Sequence, residues 1–78
     1  MKHLKQDGKL VRPNVYVGNF KTSVSLERVM WQALHEIAAH QGRSVHDVIT
    51  EIDRDRAFNL STAIRAYIVE FYRARITL

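Results

Sequence analysis

The sequence predicts a mostly helical α+β domain, one N-terminal strand followed by three helices. Two observations carry this. Within the stretch Asn19–Glu27, Thr22, Val24 and Leu26 alternate with Lys21, Ser23 and Ser25, the period of two of a half-buried strand. After Glu27 the apolar residues recur about every 3.6 positions, in three separate runs.

The first helix is expected from about Glu27 to His40, with Met30, Leu34, Ile37 and Ala38 as its stripe and Ala33 and Gln41 flanking. Gly42 follows as a C′ residue. Ser44 opens the second helix, and Asp47 three residues on makes a variant of the capping box. Val45, Val48, Ile49 and Ile52 form its apolar face, which fades in the charged link "DRDRAFN". Asn59 or Ser61 can cap the third helix, from about Leu60 to Arg73. Leu60, Ala63, Ile64, Tyr67, Ile68 and Phe71 line one side of it.

The chain has 78 residues, so one domain is expected, and a chain this short buries only roughly 60% of its unfolded surface. Residues 1–13 read as a flexible basic arm and 14–78 as the folded domain. Lys2, Lys5, Lys9, Arg12 and Lys21 stand against Asp7 alone, so residues 1–21 hold the whole net charge of +4. Seven arginines cancel four glutamates and three aspartates in the remainder. Such asymmetry suits a polyanion partner, and it also suits a solubilising tail. The chain has no cysteine, which excludes disulfides and cysteine-based zinc sites. It carries no apolar run of membrane-spanning length and no secretory leader pattern, so a cytoplasmic protein is expected.

A strand needs a partner for its backbone groups. Locally, a two-residue Gly18-Asn19 turn can fold Val15–Val17 back onto Thr22–Val24. A lone two-stranded hairpin is marginal, however, and a second copy of the chain is the other candidate.

The pieces "KTSVSLE", "IAAHQGRSV", "EID" and "NLSTAIRAYIVEFYRAR" occur in the order found in short bacterial members of the ribbon-helix-helix (Arc/MetJ-like) DNA-binding family. The chain resembles that family most closely at "GRSVHDVI", Gly42–Ile49, and counting back from Ser44 places the strand at Lys21–Leu26. The resemblance implies an intertwined homodimer. Its strand pairs antiparallel with the same strand of the partner, and the two-stranded ribbon enters the major groove. By register, Lys21, Ser23 and Ser25 would meet base edges, and Thr22, Val24 and Leu26 would face the helices. Members of the family often present Arg, Asn or Gln at these positions. One lysine and two serines discriminate less per base, leaving more of the affinity to phosphates. The start of the second helix would grip a phosphate through its free N–H groups, with Arg43, Ser44 and Val45 as the contacting residues. A solvated strand face and a merely capping Ser44 are the plain alternatives.

Other chemistry finds little footing. His3, His35, His40 and His46 do not share a face, and no acidic residue completes a ligand spacing, so no metal or other cofactor is expected. There is no Gly-rich phosphate loop or nucleophile motif, so no enzyme is expected. Trp31 suits a core or interface. The third helix, with Arg65, Arg73 and Arg75, can pack over a dimer or hold a partner protein. The expected function is a sequence-specific transcriptional regulator, a repressor in the first instance; an antitoxin-like protein-interaction module is the alternative.

Overall fold

The computed structural model describes residues 9–76. In chain order they form β1 (Leu10–Val11), β2 (Asn14–Val17), β3 (Phe20–Ser23), β4 (Leu26–Glu27), α1 (Arg28–His40), α2 (Val45–Asp55) and α3 (Leu60–Arg73). The three helices fall where their apolar stripes place them. The single expected strand is instead four short strands, and two of them lie upstream of Gly18.

The turn chemistry explains the difference. Gly18 has φ +59°, and among the described residues no non-glycine has positive φ, so Gly18-Asn19 has the signs of a type II′ turn. That turn folds β2 back onto β3, with Val17 opposite Phe20, Tyr16 opposite Lys21, Val15 opposite Thr22 and Asn14 opposite Ser23. β1 pairs with β4 in the same register, Val11 opposite Leu26 and Leu10 opposite Glu27. Hydrogen bonds from Val24 N–H to Pro13 O (3.1 Å) and from Arg28 N–H to Lys9 O (2.6 Å) continue it. The two short sheets are therefore one hairpin with an interrupted ladder. Pro13 has no N–H to return to its partner, so regular pairing lapses at Val24–Ser25. Residues 1–8 of the expected basic arm lie outside the described residues. Its last part is structured, since Leu10 and Val11 form β1.

Helix ends follow their sequence signals. α1 closes with Gly42 at φ +66°, and Gly42 N–H and Arg43 N–H bond Ala39 O and Ala38 O, the paired bonds of a Schellman motif. Ser44 Oγ accepts from Asp47 N–H at 3.0 Å. Asn59, rather than Ser61, caps α3 through Thr62 N–H at 2.9 Å. Glu27 precedes α1 without a side-chain cap bond.

The core closes within one chain. Leu26, Leu34, Ile37, Val48, Ile49 and Ile64 are almost completely buried. α3 packs across α1 and α2, and β2 lies along α2. Met30, Trp31, Val45, Leu60, Tyr67 and Phe71 sit half-buried at its margin. Val24 and Leu26 face the helices as their spacing requires, but Thr22 is exposed. Thr22 shares the inner side of the hairpin with Val15; the helices reach under β2 and stop short of β3.

Candidate nucleic-acid interface

Alternation along the hairpin sorts its side chains into two sides. Val15, 5% exposed, fixes the inner one, which also carries Val17, Phe20 and Thr22. The outer side carries Lys21 and Ser23 on β3, with Tyr16 and Asn14 directly across on β2. All four are exposed. This side offers a cation, a hydroxyl, an amide and a phenol, with no carboxylate among them.

The hairpin has two edges, and the helices treat them differently. In an antiparallel pair alternate residues turn their N–H and C=O away from the partner strand. Along the arm of β2 those groups belong to Asn14, Tyr16 and Gly18, and α2 meets the last two. His46 Nδ1 lies 3.1 Å from Tyr16 O. A carbonyl only accepts, so this nitrogen carries the proton and donates. Gly18 N–H donates to Thr50 Oγ1 at 3.3 Å. On the other arm the outward groups belong to Lys21, Ser23 and Ser25. Ser25 is closed off by α3: its N–H donates to Ser61 Oγ at 3.1 Å, and its carbonyl accepts from Arg65 Nη2 at 3.1 Å. Arg65 also pairs with Glu27 at 2.9 Å, and this hydrogen bond holds the Glu27 carboxyl below its ordinary value. Among the described residues nothing covers the edge at Lys21 and Ser23.

These four fastening residues are missed by sequence reasoning aimed at chemistry. Their signal is faint but present: His46 and Thr50, like Ser61 and Arg65, stand four apart and so share one helix side.

The residues expected to contact phosphate lie at the start of α2. Ser44 spends its hydroxyl on the cap. The N–H groups of Val45 and His46, in the first turn, have no acceptor among the described residues and point with the positive end of the helix. Arg43 stands beside them, half-buried and already engaged. It pairs with Glu51 at 2.5 Å and donates to Gln41 Oε1 (3.1 Å) and Asp47 O (3.3 Å). The Glu51 hydrogen bond holds its pKa above the ordinary arginine value. Gln41 Nε2 in turn donates to Tyr67 OH at 3.1 Å, tying α3 into the same network. Through His46, this helix start is tied to β2, the strand that pairs with Lys21 and Ser23. Ser25 lies past the end of β3, half-buried.

The histidines sit apart. His35 is edge-on to Trp31, His40 to Phe71 and His46 to Tyr16. His3 lies outside the described residues. Among the described residues no three His, Cys, Asp or Glu side chains gather as a metal cluster, and no helix is long and apolar enough to cross a membrane.

A strand hairpin feeding two helices through a Gly-Arg-Ser turn suits one family in particular, and a family model described as a ribbon-helix-helix domain matches residues 10–72. This chain belongs to the ribbon-helix-helix family. Ribbon-helix-helix domains are in general DNA-binding regulators that work as dimers. A solved structure, that of an uncharacterized protein from Bordetella pertussis Tohama I, has the same fold, with a TM-score of 0.77 at 23% identity. The match covers 91% of this chain and 62% of that one, so this chain spans less than two thirds of its neighbour's length. No curated protein matches it.

Proposed function

We propose that this ribbon-helix-helix protein is a sequence-specific transcriptional regulator that binds duplex DNA as a homodimer. The observation that carries the reading is the uncovered edge of β3, with Lys21 and Ser23 presented on the outer side beside it. A second copy added along that edge makes the two-stranded ribbon that a major groove of about 12 Å admits. Lys21 donates to guanine O6 and N7 or to a neighbouring phosphate. Ser23 donates or accepts, and Ser25 contributes at the ribbon's end. The free N–H groups of Val45 and His46, with Ser44 and Arg43 beside them, take a backbone phosphate on either side of the ribbon.

The protein-partner alternative draws less support. The apolar side of α3 is spent inside the chain, with Ala63, Ile64 and Ile68 buried against α1 and α2.

Selection of bound duplexes from a random pool tests the proposal. Enrichment of a short palindrome or repeat at physiological salt is expected. Enrichment that persists unchanged in a Lys21→Ala/Ser23→Ala protein, still dimeric by light scattering, would sink the base-reading assignment. Copurification of a stoichiometric small protein, with no enriched duplex, would favour the protein-partner reading.

A further inference from the structure

We infer that α3 takes part in how the chain reads DNA: Arg65 is a positioning residue that, with Ser61, sets the place of Ser25. The inference deepens the DNA-binding reading above and rests on it.

Val24 and Leu26 are buried, so by alternation Ser25 falls on the outer side with Lys21 and Ser23. The three are held by different means. Lys21 and Ser23 lie in β3, and pairing with Tyr16 and Asn14 fixes their backbone. Ser25 lies past the end of β3, where Pro13 offers no N–H and the ladder lapses. Its own N–H and C=O point away from the opposite arm of the hairpin. A strand end left in that condition keeps its conformational freedom until it binds, and ordering it then costs affinity.

α3 supplies what a neighbouring strand would. Ser61 Oγ accepts from the Ser25 N–H at 3.1 Å, and Arg65 Nη2 donates to the Ser25 carbonyl at 3.1 Å. One acceptor and one donor, a helical turn apart, thus satisfy both backbone groups. Arg65 is itself aimed. Its Nε donates to Glu27 Oε1 at 2.9 Å and its Nη2 lies 3.4 Å from Oε2, so the planar fork spans Ser25 and Glu27 together. All four residues are half-buried. Asn59 caps the helix, which leaves the Ser61 hydroxyl free for the strand. An arginine that only stapled α3 to the start of α1 would need Glu27 alone; the two bonds to Ser25 hold the strand end.

The test uses a duplex selected by the parent protein, with its single-base variants, read by fluorescence anisotropy. Ser25→Ala marks the base pair that Ser25 discriminates, and Lys21→Ala and Ser23→Ala mark theirs. Arg65→Met and Ser61→Ala should each lose about fivefold in discrimination at the Ser25 base pair, the worth of one hydrogen bond, and stay within about twofold at the others. Glu27→Gln removes the ion pair but keeps an oxygen to which Arg65 donates, so it should retain discrimination throughout. In the free proteins, the Ser25 amide should exchange faster in Arg65→Met and Ser61→Ala than in the parent. A purely structural Arg65 would instead weaken binding to every duplex alike. That outcome, or a loss in Glu27→Gln equal to that in Arg65→Met, overturns the inference and leaves DNA binding standing. So does a Ser25→Ala protein that discriminates as the parent does. A parent protein that selects no duplex overturns both.

Discussion

Lys21→Ala is the most informative single change, because Lys21 is exposed on the outer side of β3 and supports nothing in the core. A homodimer carries two copies. If both neutralise a phosphate, their loss makes the slope of log K against log salt shallower by about 1.8, at roughly 0.9 per contact on duplex DNA. Between about 50 and 200 mM salt the parent protein then loses about twelvefold more affinity than the variant. Fluorescence anisotropy on a selected duplex across that range reads the slope directly. If Lys21 meets a guanine instead, discrimination at that base pair falls by about 1–3 kcal/mol as well. An unchanged slope and unchanged discrimination, in a protein with parental circular dichroism and oligomeric state, would refute the placement of Lys21 in the groove.

Ile64→Ala removes a fully buried side chain where α3 meets α1 and α2, and should cost about 2–5 kcal/mol. A chain of this size has a total stability of roughly 4–12 kcal/mol, so the melting temperature should fall by about 10–30 °C in calorimetry. Gly18→Ala meets no neighbouring atom within 4 Å, so its whole cost comes from φ +59°. That is about 1–2 kcal/mol, and nuclear magnetic resonance should show the loss concentrated in faster amide exchange along β2 and β3. The Glu27 carboxyl is held low by Arg65 in the folded chain, so the unfolded chain takes up its proton first. Its stabilisation is complete above the ordinary carboxylate pKa and is lost as pH falls through the lowered one. Arg65→Met should flatten the acid limb of a denaturation curve, since the Glu27 carboxyl then loses the partner that lowers its pKa.

The helices were legible because their information is local. Leu34, Ile37 and Ala38 sit on one side of any helix, and Ser44, Gly42 and Asn59 mark ends through hydrogen bonds within four or five residues. Their side of burial followed directly. The strands were less legible for two reasons. Leu10–Val11 is too short to show a period and is surrounded by Lys9, Arg12 and Pro13, so it reads as tail. The hairpin's Gly18-Asn19 turn was readable, but what makes a marginal hairpin stable is tertiary. His46 and Thr50 fasten β2 from thirty residues away, and Ser61 and Arg65 fasten Ser25 from further still. The exposure of Thr22 has the same origin, since a period of two assigns a side but not whether anything lies beneath it. In the candidate site, the alternation of Lys21 and Ser23 was plain in the sequence. The engagement of Arg43 with Glu51 was not, because it depends on how α2 leaves the Schellman turn.

The hairpin also bears on how deeply such a protein can sit in DNA. A dimer joined along β3 has β2 on either flank, four strands about 14 Å across between the outer axes. The groove is about 12 Å wide, so only the inner pair can descend into it. On the proposed dimer β2 would be left at the rim, where its outer side chains, Asn14 and the exposed ring of Tyr16, would come level with the sugar-phosphate walls. In the proposed complex the upstream strand would act as a depth stop, limiting base contact to the short central stretch and bracing the chain against both backbones at once.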